Sequence, residues 1–492
     1  MDSVLRIAGI GALAVIAVLL CWQGVSWALQ PGLFLFGDEL ENVLWSIDRP
    51  WDAIAHVLPE QVYNDRPTGQ ALERILYEQF GFNYRRQLAW FLCIHFANCG
   101  LAFLLFRRLG VGVPMSLAGV GFFGSLSTTA TSATYLGASF DVLCTFFLLG
   151  SILTGLGKKW VWWVASAFLF LLALRTKEFA IVIPALLTVL LLGRVGQASW
   201  RQTGAAVGKR LWLHYSILAV FAVRYLSFVP HMRATVSPQN PYYLDASLGT
   251  VLKSLAYYTA LIFTMELRGN VTFLFLFGLT LVFAYAVIAR RRWMILFALL
   301  AYALTLLPVA MLPNIRQPLY VYGPQMFLIL ALCISLDSLA AALPVPEPRR
   351  WAAPAGFAVA LMAGGYAIWT SDYSRNRIGF TRNVRETCAR TAHDAVAQLS
   401  GIGTGAHVYI ASGNSTPWLM TAGPCAYLEL LRRDRNISCE IMKPEKDLLE
   451  LYARDPGVGG KYFLDYREDG SLQVRFSARQ DRPGAKKHDP NP

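Results

Sequence analysis

The sequence predicts a polytopic α-helical membrane protein with a small C-terminal α/β domain, and three observations predict it. Of 492 residues, 55% are hydrophobic and only 15% charged, giving a mean hydropathy of +0.42. That is more apolar surface than one soluble core can hide. The surplus falls in blocks close to the ~20 residues a helix needs to cross a bilayer. The formal net charge of +13 comes largely from short basic clusters between those blocks: Arg107 and Arg108, Lys158 and Lys159, Arg194 to Arg210, Arg290 to Arg292, and Arg349 and Arg350. Such clusters mark cytoplasmic loops, and their dispersal argues against a nucleic-acid face.

With those clusters inside, about eleven spans result by the length criterion. They cover residues 6–29, 87–105, 114–130, 138–156, 160–174, 179–192, 211–228, 272–289, 293–312, 322–342 and 351–370. The first has the basic start, apolar middle and small-residue end ("SWA") of a signal peptide, but the spans that follow need no separate export signal, so it reads as a span. From Pro31 to Arg86 the chain is too polar for lipid. Its half-amphipathic pieces "ENVLWSI" and "GQALERILYEQF" read as interfacial helices on the outer leaflet. In "YNDRPTG" the Arg-Pro pair forces an extended turn before the next helix.

Further along, "LRTKEFAIVIP" interrupts an apolar region with Arg175, Lys177 and Glu178, on the outer side by the alternation of basic clusters. A third outer segment runs from Pro230 to about Asn270, with "TVLKSLAYYTALIF" as a helix dipping toward the membrane. The fourth, "MLPNIRQPLYVYGP", is broken by prolines, and irregular backbone at that depth is tolerated only beside protein or a cavity. An odd number of spans with the N-terminus inside leaves the C-terminus outside.

The expected domains are therefore a transmembrane domain at 1–370 with its outer loop at 31–86, an extracytoplasmic α/β domain at 371–478 and a disordered tail at 479–492. In the α/β part, "HVYIAS" and "KYFLDYR" have strand character. "WLMTAGPCAYLELLRRD" and "KDLLELYARD" have helical spacing, and "EDGS" before "LQVRF" signals a hairpin. Five of the eight cysteines lie in apolar blocks and read as small buried hydrophobes. Cys388, Cys425 and Cys439 fall in the outer part, where one disulfide fits an oxidising compartment and sequence does not choose the pair.

The unusual polar residues all fall on the outer side: Asp38, Glu39, Asp65, Arg66, Asp141, Arg175, Lys177, Glu178, Arg224 and Arg316. A transporter would place charges at the bilayer midplane. Carboxylates beside cations suit transfer of a group from a lipid-linked phosphate, in which a carboxylate takes the acceptor proton and Arg and Lys hold the departing phosphate. His95, within a span, reads as an interhelical hydrogen-bonding residue. Asp141 suits a helix N-terminus, and Trp160, Trp162 and Trp163 suit an interfacial belt. Lys177 and Glu178 could simply pair with each other. No His, Cys or carboxylate group has metal-ligand spacing, so no cofactor is expected, although a divalent ion bridging a carboxylate and a phosphate is compatible.

Four stretches resemble the C-type (GT-C) integral-membrane glycosyltransferases, especially the protein O-mannosyltransferase and transmembrane O-mannosyltransferase branch. "FGDELENVLW" is similar to the acidic pair of that family's first outer loop. "NDRPTGQALERILYEQFGFNYRRQLAWFLCIHFANCGLAFLLFRRL" is similar to its sequence through the second span. "LALRTKEFAIVIPALL" resembles its Lys-Glu element, and "LLPVAMLPNIRQPLYVYGP" its late loop. The resemblance covers about the first 340 residues in pieces.

The resemblance implies a GT-C-type fold using a polyprenyl-phosphate-sugar donor, with hexosyl or mannosyl transfer to a glycan, lipid or protein acceptor. It implies Asp38 as general base with Glu39 beside it. Arg66, Lys177, Glu178, Arg224, Arg316, Tyr320 and Tyr322 would then bind the substrate. The sequence departs from the closest branch at Gln317 and Pro318, where an Arg precedes the Tyr, and at "GASFD". A multi-pass protein of a bacterial inner membrane is expected. A lipid or glycan transporter and a non-catalytic assembly protein are the alternatives.

Overall fold

In this computed structural model the described residues are 2–60, 65–195, 200–228, 237–240, 242–264, 270–290, 292–344, 351–399, 406–412, 427, 438–442, 461–466 and 472–478. Among them, four helices are long and apolar enough to cross a membrane: Arg6–Leu29, Tyr84–Arg108, Leu136–Gly155 and Ala352–Thr370. Seven further apolar helices of 10–17 residues accompany them, including Leu248–Ile262, which the sequence predicts to dip toward the membrane. Many large apolar side chains on these helices point outward, among them Val18, Trp90, Leu104, Trp162, Leu281 and Val359. Exposed apolar surface of this kind suits a lipid solvent.

The chain folds as two compact units. The first comprises Met1–Gln30, Pro50–Ile75 and Arg85–Gly379, and the second Pro31–Arg49, Leu76–Tyr84 and the chain from Phe380 onward.

In the first unit, α1 (Asp2–Ser26) lies against α6 (Val113–Ser125). A Cβ added at Gly124 would sit 2.7 Å from the Cys21 Cα, so only glycine permits the approach. Small residues give helices close backbone contact where lipid supplies no hydrophobic drive. On its other side α6 meets α16 (Ala352–Thr370), again through a glycine, Gly365, against Phe122. Next come α8 (Ser139–Gly155) and α9 (Trp160–Leu174), which pack together. Then α10 (Ile183–Val195) meets α14 (Met294–Ala310), which packs on α15 (Gln325–Ala340).

Buried polar staples fix these helices. The Thr128 hydroxyl donates to Gln325 Oε1 at 2.8 Å, and Gln325 Nε2 donates to the Thr129 hydroxyl at 2.7 Å. Ser166 bonds His214 Nε2 at 2.8 Å, tying α9 to α11 (Trp200–Leu226).

The structure corrects one predicted span. Residues 114–130 are not one helix but parts of two, α6 and α7 (Ser127–Thr134), separated at Leu126, whose ψ of 137° is extended. Hydroxyl side chains crowd the break. Ser125 bonds back to Phe122 O, and Thr131, Ser132 and Thr134 each bond the carbonyl four residues earlier, offering the backbone alternatives to a continuous ladder.

In the second unit, α2 (Asp38–Asp48) follows an extended segment, and α17 (Asp372–Leu399) belongs to this unit from Phe380 onward. Four strands, β1 (His407–Ser412), β2 (Ser438–Met442), β3 (Lys461–Tyr466) and β4 (Leu472–Ala478), form a sheet in the order β2-β1-β3-β4. β1 runs parallel to β2 and β3, and β3 pairs antiparallel with β4 in register Lys461 to Ala478, where the hairpin is expected. Phe34, Phe82 and Tyr427 pack ring against ring, with centroids 4.8–6.0 Å apart. Cys388 is a buried free thiol. Cys425, the helices expected at 418–434 and 446–455 apart from Tyr427, and the tail at 479–492 lie outside the described residues.

Candidate active site

The two acids of "FGDELENVLW" open α2. Gly37, its N-cap, has φ 55° and ψ −131°, a conformation open to glycine and strained for other residues. Asp38 is then the first helical residue and is exposed, its charge at the favourable end of the helix dipole. Glu39 points the other way and is buried. Arg385 of α17 grips it with two parallel bonds, Nη1 to Oε2 at 2.9 Å and Nη2 to Oε1 at 2.7 Å.

In the first unit, charged residues from distant parts of the sequence meet where helices start and stop. At Leu174, α9 ends and the next three residues leave the helix. Thr176 Oγ1 bonds Leu172 O at 2.7 Å, and the carbonyl of Arg175 accepts from Thr68 N in the first turn of α4 (Pro67–Phe80) at 3.1 Å. The broken backbone is thus satisfied within protein. A Cβ at Gly69 would collide with the Phe140 ring, so this glycine lets the start of α4 approach the start of α8.

Ion pairs cross-link these ends. Lys177 Nζ reaches Asp141 Oδ2 at 2.5 Å. Arg66 grips Glu178 with Nε to Oε1 at 3.1 Å and Nη2 to Oε2 at 3.0 Å, while its guanidinium lies 5.2 Å from the Phe140 ring centre. Arg175 Nη2 bonds Asp65 Oδ2 at 3.1 Å, and Asp65 also accepts from His56 Nε2 at 2.7 Å and Glu60 N at 2.8 Å. Arg175 Nε and Nη1 have no hydrogen-bond partner among the described residues. Burial pushes the Asp65 carboxyl up, but the Glu60 N–H, the Arg175 guanidinium and His56 outweigh it and hold Asp65 below the usual carboxylate value. Burial lowers Arg66, and the Glu178 carboxylate more than reverses that.

The structure brings together four of the seven substrate-binding candidates. Arg66 joins Glu178, and Lys177 sits 5.3 Å from the centre of the Tyr320 ring. Lys177 and Glu178 do not pair with each other. Arg224 is linked indirectly, donating from Nε to Pro59 O at 2.7 Å next to the Glu60 that holds Asp65. Tyr322 lies in the interior. Its hydroxyl is 2.7 Å from His95 Nδ1 and accepts from Asn98 Nδ2 at 3.2 Å, so His95 is an interhelical partner. Arg316 stands apart, exposed and 5.1 Å from the Tyr257 ring centre. Among the described residues no three His, Cys, Asp or Glu side chains gather as a metal site requires.

No protein-family model matches the sequence, and no curated protein matches it. Solved structures do. The crystal structure of ArnT from Cupriavidus metallidurans in the apo state has a TM-score of 0.52 at 13% identity, covering 94% of this chain and 93% of that one. The same protein bound to undecaprenyl phosphate has a TM-score of 0.50 at 12% identity, covering 93% of each. The chain shares the fold of ArnT over nearly its whole length. The Archaeoglobus fulgidus oligosaccharyltransferase in its apo form is a looser likeness, with a TM-score of 0.47 over 66% of its length.

Within this fold, sequence reasoning missed two partners. His56 is a lone histidine in a polar loop, and nothing in its surroundings points to Asp65. Arg385 is one of several arginines in a polar helix, 346 residues from Glu39. Only the tertiary structure separates it from Arg375, Arg377, Arg382 and Arg390. Asp141, read as a helix-start acid, is that and also the partner of Lys177.

Proposed function

We propose that the protein is a glycosyltransferase that moves a sugar from a polyprenyl-phosphate donor to an acceptor hydroxyl at the outer face of the membrane. The observation that carries this reading is the cluster of Arg66, Arg175 and Lys177 with Asp65, Asp141 and Glu178 at the ends of membrane helices. Cations held in place by acids form a preorganised, water-poor receptor for phosphate charge. ArnT, of the same fold, binds undecaprenyl phosphate, which supports a polyprenyl lipid as donor here.

In the proposed step, Asp38 takes the proton of the acceptor hydroxyl. The hydroxyl oxygen attacks the anomeric carbon, the bond from that carbon to the phosphate oxygen breaks, and polyprenyl phosphate leaves with the electron pair. A single displacement inverts the configuration. Arg66 and Lys177 stabilise the leaving phosphate, with Arg224, Arg316, Glu178, Tyr320 and Tyr322 as further substrate contacts. The step needs no cofactor. About eleven spans, an outer C-terminal domain and a bacterial inner membrane complete the reading, and the sugar is a hexose, with mannose the first to try.

The test is purified protein with a panel of radiolabelled polyprenyl-phosphate hexoses, wild type beside Asp38→Asn. Loss of a general base is expected to lower turnover by about 10²–10⁴-fold. Equal turnover by both would remove Asp38 from the role, and no transfer by wild type from any donor would count against the activity itself.

A further inference from the structure

The second unit holds an arrangement that the proposed chemistry does not use. Glu39 and Arg385 are both 0% exposed at their side chains, and their bonds do more than join two charges. Glu39 Oε2 also accepts from Phe36 N at 2.9 Å, and Arg385 Nη1 also donates to Phe34 O at 2.8 Å. The guanidinium lies 4.0 Å from the Tyr84 ring centre and 4.6 Å from that of Phe36. Residues 34 and 39, which bracket Asp38, are therefore bonded to one guanidinium, and residue 36 is bonded to Glu39 with its ring against the same group.

The charge-assisted fork fixes plane as well as distance. A buried ion pair contributes little net stability because desolvation offsets its Coulomb gain. What this one supplies is geometry. The turn it holds pivots on Gly37, which has the widest backbone freedom of any residue type. A carboxylate whose two oxygens are both bonded to one buried guanidinium is also poorly placed to shuttle protons, which leaves the exposed Asp38 to do so.

We infer that Arg385 is a positioning residue for the catalytic base: its fork on Glu39 locks the turn 34–39 and so fixes where Asp38 presents its carboxylate. The C-terminal part of the chain thereby governs turnover without touching substrate. The inference rests on Asp38 acting as base.

The test compares wild type, Asp38→Asn, Arg385→Lys and the double variant Glu39→Met with Arg385→Met, which removes both charges and strands neither. Each is assayed for kcat and donor KM, for the number and affinity of sites for undecaprenyl phosphate, and for amide hydrogen exchange over residues 34–43. Misplacing a catalytic group by about 1 Å costs on the order of 10²-fold. The double variant is expected to lose kcat by about 10- to 100-fold with KM and site number unchanged, and exchange over 34–43 is expected to quicken. Arg385→Lys, which keeps the charge but not the fork, is expected to fall between. Full kcat with unaltered exchange in the double variant would overturn the inference, as would a proportional fall of kcat and site number, which is the mark of simple misfolding. If Asp38→Asn is fully active, the base assignment fails instead, while the exchange measurement still decides whether Arg385 holds the turn.

Discussion

Single side chains in this protein are defined by their partners. Lys177 and Asp141 are 11% and 6% exposed, so neither can lose the other cheaply. Lys177→Met is expected to cost about 3–5 kcal/mol through the stranded carboxylate. Adding Asp141→Asn is expected to recover most of that stability but not donor binding, as read from melting in detergent and undecaprenyl-phosphate affinity. Asp65 gives a pH signature. Its folded pKa lies below the ordinary 3.8, so its contribution to stability is complete above that value and is lost as pH falls through the folded one. The melting temperatures of wild type and Asp65→Asn are therefore expected to differ by a constant amount above about pH 5 and to converge under more acid conditions. That these residues are charged and unusual was legible in the sequence. Which carboxylate meets which cation was not, because Asp65 and Arg175 are 110 residues apart and Asp141 and Lys177 are 36 apart.

At the scale of elements, apolar length located most helices, but continuity depended on neighbours. The block at 114–130 has span length, yet the Ser125 hydroxyl bonds Phe122 O, Thr128 and Thr129 are held by Gln325, and the helix is interrupted at Leu126. Packing of α1 on α6 depends on absent side chains. Gly124→Leu would drive a branched side chain into the Cys21 backbone, and overpacking of this kind costs about 1–3 kcal/mol where neighbours can shift. A lower melting temperature and a smaller folded fraction are expected. Gly11→Leu, whose Cβ meets nothing within 4 Å, is the matched control and is expected to leave both unchanged.

At the scale of the molecule, the proposed reading requires the charged helix ends to face away from the cytoplasm. In a background with Cys93, Cys388, Cys425 and Cys439 replaced by serine, Asn314→Cys is expected to react with a membrane-impermeant maleimide added outside, and Lys158→Cys only after permeabilisation. The reverse pattern would place the cluster on the cytoplasmic face and would sink the reading. The division into two units was not foreseen in its details. The sequence suggests a break near residue 370, whereas the second unit also takes in Pro31–Arg49 and Leu76–Tyr84.

Apolar block length and the placement of basic clusters depend on composition over a local window, so a membrane protein, most of its helices and the side chains with chemistry to offer were legible before folding was considered. The four short stretches resembling GT-C enzymes are consistent with the fold shared with ArnT at 13% identity. The pairings emerge with the folded chain: Arg385 on Glu39, Arg66 on Glu178, Lys177 on Asp141. An ion pair between distant residues leaves no local pattern, because the free energy that selects one partner among many is set by burial and geometry that exist only after folding.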